Sequence, residues 1–244
     1  MGLVSMGIQN LHSLYRLDNR TEAEALIVDK IKSIVEKAVE ERQTASLMLS
    51  GGSTPKNVYS ALSDQNLPWE NVTIGLVDDR WVDADKPGSN ERMLNETLMQ
   101  NYAVKARLIG MKTDHANVNQ GAPVVSEKYK KIQQPFDLCL MGMGTDGHTA
   151  SWFPGSSGFE QALNIDNSEL ACAIDASNSP GAGKFPHRMT LSLPAVMNSR
   201  QIFLFITGEE KLSVLQASFE SSVDMMPVKA LLAAGARLSV FWAP

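Results

Sequence analysis

Apolar and polar positions along the chain alternate between two periods. Across residues 21–42, Ile27, Ile31, Ile34, Val35 and Ala38 recur at helical spacing while Glu36, Lys37, Glu40 and Glu41 fall outside that stripe, and the spacing predicts a long amphipathic helix. A short apolar run at 45–49 then predicts a strand. It ends in Ser50-Gly51-Gly52-Ser53-Thr54-Pro55, where Pro55 suits the first turn of a helix and Ser53 or Thr54 the cap before it. The unit recurs. A strand is predicted at 72–77, ending in Asp78-Asp79-Arg80, and a helix at 90–100 capped by Ser89 or Asn90. A strand at 104–109 and a helix at 124–133 follow. The apolar run 136–141 predicts a strand leading into the glycine-rich stretch 142–149. Further on, a strand at 202–206 precedes Thr207-Gly208 and a helix through Lys211 and Leu215, and a last helix at 227–234 precedes a last strand at 237–242.

Strands alternating with helices predict an α/β fold, Rossmann-like, with a mainly parallel sheet covered by helices on both faces. No repeat, low-complexity tract or linker divides the sequence, so one domain spanning 1–244 is expected. In such sheets ligands bind outside the carboxyl ends of the strands. The residues least explicable by packing fall just after predicted strands, so four separate loops are expected to open on one crevice.

Composition narrows the partners. With 43% hydrophobic and 20% charged residues the chain reads as an ordinary globular protein, and a net charge of −5 argues against a nucleic-acid binder. The first twenty residues lack a signal-peptide pattern, and no apolar run is long enough to span a membrane. Cys139 and Cys172 lie far apart, Cys139 in a buried run, and a chain of this size needs no disulfide. These features point to the cytoplasm and away from nucleic acid and membrane; a monomer or small homo-oligomer is expected, its state not read from the sequence.

Five places carry candidate chemistry. In 50–55, Gly51 and Gly52 let the backbone approach a ligand, Ser53 and Thr54 add hydroxyls, and the helix start that follows supplies N–H groups and partial positive charge suited to phosphate. Its plain alternative is an ordinary strand–helix turn. Asp78-Asp79-Arg80 is not required for packing: Arg80 can hold an anionic or oxyanionic group, and an acid can position the substrate or Arg80. In Gly142-Met143-Gly144-Thr145-Asp146-Gly147-His148-Thr149, Asp146 and His148 lie two apart and can share one face of an extended segment, the carboxylate orienting the ring for general acid–base work. The glycine spacing is not that of a dinucleotide fingerprint. Arg188 precedes a predicted strand and suits a bidentate pair with phosphate, and Lys211 can reach the same anion. His12, His115, His148 and His187 have no metal-ligand spacing, so no metal and no cofactor is expected. No G-x-S-x-G elbow supports a serine hydrolase.

The blocks 49–55, Asp78-Asp79-Arg80-Trp81, Ser89-Asn90, 142–155 and 186–191 resemble the signatures of 6-phosphogluconolactonases, in that family's order and across most of the chain. The resemblance implies a fold shared with glucosamine-6-phosphate deaminases and ribose-5-phosphate isomerases. It also implies hydrolysis of 6-phosphogluconolactone, a step of the oxidative pentose phosphate pathway. His148 would be the base, Asp146 its orienting acid, Arg80 the oxyanion partner, and Asp78 a contact to a substrate hydroxyl or water. The phosphate would sit on Gly51, Gly52, Ser53 and Thr54 with Arg188 and Lys211 as counter-charges. Departures are Asp79 where the family usually has Glu, and Asp83 and Thr145 where Pro is common. The deaminases resemble the chain in the Gly-Ser-Thr and Asp-Gly-His blocks but carry a glutamate where Phe153 stands. An amino-sugar-phosphate deaminase or isomerase is therefore the alternative enzyme. A sugar-phosphate sensor is the alternative of another class, and for it the chain offers no basic recognition helix.

Overall fold

The computed structural model describes residues 7–8 and 11–244. A short first strand, β1 (Leu14–Arg16), precedes helix α1 (Arg20–Arg42). Asn19 caps α1 by accepting from the Glu22 N–H, and Gln43 closes it in the left-handed conformation (φ 62°). Its apolar stripe, Ala23, Ile27, Ile31, Val35 and Ala38, is buried. Strand β2 (Ala45–Leu49), buried at every position, leads to α2 (Lys56–Ser63). The expected hydroxyl cap of α2 is absent: Pro55 occupies the cap position and neither Ser53 nor Thr54 caps it. Proline's fixed φ sets the helical turn, which leaves those hydroxyls free for another use.

Strand β3 (Val72–Leu76) is followed by β4 (Asp78–Arg80), so the Asp-Asp-Arg segment expected as a loop is a strand of a second sheet. Helix α3 (Asn90–Thr97) is capped by Ser89, whose Oγ accepts from the Arg92 N–H. A 3-10 helix (Asn101–Lys105) takes the first part of the segment expected as a strand, leaving β5 (Arg107–Ile109). Helix α4 (Val118–Lys130) begins ahead of the expected 124, capped by Asn117. Gly121-Ala122-Pro123 reads as a break, but Gly121 lies under the Trp81 ring, where a Cβ would come within 2.2 Å of it, so packing holds the helix through the weak stretch.

The remaining elements are β6 (Leu138–Met141), α5 (Phe159–Leu163), β7 (Ala171–Asp175), β8 (His187–Leu191), α6 (Leu193–Met197), β9 (Gln201–Thr207), α7 (Glu209–Ser218) and β10 (Leu238–Ala243). The segment 227–234 expected as an α-helix is part of a 3-10 stretch, Pro227–Arg237, interrupted at Gly235 (φ 58°). Arg188 lies inside β8 rather than before a strand.

Seven strands form one sheet in the order β1-β10-β9-β6-β2-β3-β5, every pairing parallel. This is the expected α/β architecture, a mainly parallel sheet flanked by helices. From β2 the chain runs outward through β3 to β5. It returns to β6 on the other side of β2 and runs outward through β9 to β10. The direction therefore reverses between β2 and β6, and the loops after these two strands part there, opening the crevice where such sheets bind ligands. Ser50 donates its N–H to the Leu140 carbonyl at 3.0 Å, so the strands stay paired to the rim of that crevice.

The second sheet, β4-β8-β7, is antiparallel. Val77 joins it to the first: its N–H donates to the Leu49 carbonyl and its carbonyl accepts from Leu191. The small sheet thus stands at the carboxyl edge of the large one, beside the crevice.

Candidate active site

A cavity of about 240 Å3 occupies the crevice. It is lined by Ser50, Gly51, Gly52, Ser53, Thr54 and Pro55 after β2, by Asp78 and Arg80 of β4, and by Asn90 of α3. Gly142, Met143, Gly144, His148, Thr149 and Ala150 after β6, Arg188 of β8, Phe205 of β9 and Lys211 of α7 complete it. All the expected site residues line it except Asp146, which stands behind His148.

The first loop presents backbone donors. The Ser53 and Thr54 carbonyls accept from the Arg20 guanidinium at 3.1 and 3.0 Å, and Arg20 is in turn held by Glu24 at 2.7 Å. The Tyr59 hydroxyl donates to the Ser50 carbonyl at 2.6 Å. With carbonyls tied back in this way, the N–H groups of Gly51, Gly52, Ser53 and Thr54 have no acceptor among the described residues, and they edge the cavity ahead of α2. Gly52 holds φ 96°, a conformation natural to glycine. At Gly51 a Cβ would lie 1.9 Å from Asn90 Oδ1, so the loop packs directly on Asn90.

Strand β4 sorts the two acids by its alternation. Asp78 and Arg80 share the face toward the cavity, and Asp79 takes the other. Asp78 accepts from the Ser151 hydroxyl at 2.5 Å and lies 3.9 Å from Arg188 Nη1. Across the antiparallel pair Arg80 stands directly opposite Arg188. Like charges so placed repel. Arg188 is 5% exposed and gives two donors to backbone, Nε to the Phe185 carbonyl and Nη2 to the Ala182 carbonyl. Burial pushes its pKa down to about 10, with Asp78 opposing the shift and Arg80 adding to it, so it stays charged at neutral pH. Lys211, half-buried, has no hydrogen-bond or ion-pair partner among the described residues, and burial lowers its pKa from the ordinary lysine value.

Asp146 and His148 do come together, but not on an extended segment. A turn through Thr145 and Asp146, closed by the Gly147 N–H on the Gly144 carbonyl, folds the carboxylate back. Asp146 Oδ1 lies 2.5 Å from His148 Nδ1 and accepts from the His148 N–H at 3.2 Å. That bond holds the Asp146 pKa below its usual value. The other ring nitrogen, Nε2, has no hydrogen-bond partner among the described residues, and His148 lines the cavity. The fit is tight: a Cβ at Gly144 would come within 2.3 Å of the imidazole, and one at Gly181 within 2.6 Å of Asp146 Oδ2. The His148 ring also packs on the buried Phe153 ring, centroids 4.4 Å apart.

Asn90, Met143, Thr149 and Phe205 belong to the lining and are not singled out by the sequence reading as site residues. Asn90, Met143 and Thr149 had a signal, since all three fall in the resembling blocks, whereas Phe205 lies within a plain apolar run. The two cysteines are free and buried, and among the described residues no helix is long and apolar enough to cross a membrane.

A sequence model of the family described as glucosamine-6-phosphate isomerases/6-phosphogluconolactonase matches residues 18–242. A 6-phosphogluconolactonase of Rhizobium meliloti is 32% identical, the match covering 95% of this chain and 99% of that one. The crystal structure of a 6-phosphogluconolactonase from Shewanella baltica superposes with a TM-score of 0.91 at 39% identity, covering 98% of this chain and 100% of that one. A monomeric glucosamine-6-phosphate deaminase superposes with a TM-score of 0.76, covering 95% of this chain and 97% of that one. At 18% identity this is a likeness of fold alone.

Proposed function

Because the chain belongs to the family of glucosamine-6-phosphate isomerases and 6-phosphogluconolactonases, we infer that it is a lactone hydrolase converting 6-phospho-D-glucono-1,5-lactone to 6-phospho-D-gluconate, a step of the oxidative pentose phosphate pathway. The observation that carries this reading is one cavity holding two opposed features: unpaired backbone donors with the buried Arg188 and half-buried Lys211, and a carboxylate-oriented imidazole. A phosphate at one end and a carbonyl at the other suit that division.

In the mechanism we propose, the phosphate sits on the N–H groups of 51–54, with Lys211 and the free face of Arg188 as counter-charges. His148 Nε2 takes a proton from water as the water oxygen attacks the lactone carbonyl carbon. Asp146 holds the ring and stabilises the imidazolium that forms. Arg80 offers charge to the oxygen that becomes negative in the tetrahedral intermediate. When the intermediate collapses, the ring C–O bond breaks and the departing oxygen takes the proton back from His148. Asp78, fixed by Ser151, faces the sugar and suits a hydroxyl contact.

The deaminase alternative is disfavoured at Phe153: where the deaminases carry a glutamate, this chain has a buried phenyl ring against His148. The proposal extends to a single catalytic domain acting in the cytoplasm as a monomer or small homo-oligomer. Two buried free thiols accord with a reducing compartment.

The lactone also opens unaided, so the test is made against that background. Lactone is generated from glucose 6-phosphate and the formation of 6-phosphogluconate is followed with and without the protein. A rate that rises in proportion to protein supports the assignment; a rate equal to the spontaneous one ends it.

A further inference from the structure

Arg80 faces Arg188 across two strands, and charge repulsion should drive its guanidinium away from the cavity. Two contacts resist this: Nη1 donates to the Gly88 carbonyl at 2.6 Å and to Asn90 Oδ1 at 3.2 Å. Both acceptors lie on the turn into α3, so the position of Arg80 is only as well defined as that turn. The turn is tied to β4 by the side chains of Asp79 and Asn90. Asp79, 1% exposed, accepts from the backbone N–H of Arg80 at 2.7 Å, of Asn90 at 2.6 Å and of Glu91 at 3.1 Å, and from the Ser89 hydroxyl at 3.3 Å. Asn90 completes the link by donating to the Asp78 carbonyl at 2.8 Å and by packing on Gly51.

We propose that Asp79 is the positioning residue for Arg80: by clamping the 88–91 turn to β4 it fixes the guanidinium against the repulsion of Arg188 and, through Asn90, fixes the distance from Arg80 to the phosphate loop. The proposal rests on the lactonase reading for its kinetic consequence, while its geometric consequence stands without it. Asp79 does not line the cavity. Its carboxylate acts at a distance of one turn, where a misplacement of about 1 Å can cost on the order of 10²-fold in rate.

The test compares Asp79→Asn, Arg80→Met and the double variant. Each is first shown to be folded by circular dichroism and thermal melting above the assay temperature. Asp79→Asn should lower kcat/KM about 10–100-fold in the parent chain and by less than about 2-fold in the Arg80→Met background, because its effect passes through the missing guanidinium. Asp79→Glu, which keeps the carboxylate, should recover most of the loss. Equal losses in both backgrounds would show that Asp79 supports the fold alone and would overturn the proposal, as would unchanged turnover in Asp79→Asn. A crystal structure of Asp79→Asn supplies a reading independent of activity: the guanidinium should leave the Gly88 carbonyl, and its remaining in place refutes the clamp. A parent chain with no lactonase activity would instead remove the functional reading, and that crystal structure would still decide the clamp.

Discussion

Replacing Asp146 by Asn tests the division of labour in the dyad, because it keeps the shape of the side chain and removes its charge. Asp146 Oδ1 lies 2.5 Å from His148 Nδ1, and among the described residues no other group hydrogen-bonds the ring. A hydrogen bond to a charged group contributes about 1.5–3 kcal/mol, or roughly 10- to 150-fold in rate, if it is fully expressed in the transition state. The Asp146 side chain is 46% exposed, so solvent screens part of that charge and the lower half of the range is expected, about 10- to 40-fold in kcat. KM should stay unchanged, since Asp146 does not line the cavity. The sign with pH follows from its lowered pKa: the carboxylate is ionised throughout the neutral range and loses its stabilising bond only as pH falls through that lowered value. Titration of Asp146 itself should therefore add no pH dependence to the ratio of parent to variant kcat across neutral pH. The coupled formation of 6-phosphogluconate measures both constants. An unaltered kcat, or a loss expressed wholly in KM, would refute the role given to Asp146.

Two further outcomes separate binding from scaffold. Lys211→Met should raise KM about 10- to 150-fold with kcat nearly unchanged, since it removes one charged contact to phosphate. Burial lowers the pKa of Lys211, so in the parent chain the Kd for 6-phosphogluconate should rise at a lower pH than an ordinary lysine would set, and Lys211→Met should lack that limb; calorimetric titration reads both. Asp137, 2% exposed, accepts from Ser46 and pairs with Arg42 at 2.7 Å and Arg200 at 3.4 Å at the opposite edge of the sheet. Asp137→Ala should cost about 1–3 kcal/mol in denaturant unfolding, because the buried Ser46 N–H loses its acceptor while Arg42 keeps Glu41 and Arg200 is partly solvated, and kcat of the folded protein should be unchanged.

The sequence announces what periodicity and buried apolar runs can encode. Helix α1, strand β2 and strand β6 stand where the pattern puts them because each is long enough, or apolar enough, to carry a period. Strand β4 is invisible to that argument: three residues, two acids and an arginine, become a strand only because β8, more than a hundred residues on, supplies its partner. Strand β7 is likewise paired by β8 rather than by its own pattern. The 3-10 helix at Asn101–Lys105 and the early start of α4 depend on packing that no local window contains. The site was more legible than the fold around it, because glycine-rich loops and clustered charges after apolar runs have few structural uses. What the sequence could not divide was the labour of Asp78 and Asp79. Their side chains point to opposite faces of β4, and that follows from a strand that only the tertiary structure reveals.

A crystal structure with bound 6-phosphogluconate decides whether one cavity seats the phosphate at 51–54 and the reacting carbonyl beside His148. The phosphate is expected on the N–H groups of Gly51, Gly52, Ser53 and Thr54 within reach of Lys211, with the product carboxylate in hydrogen-bond reach of His148 Nε2 and Arg80. A product bound in the reverse sense, its carboxylate on the loop and its phosphate at His148, or bound outside this cavity, would contradict it.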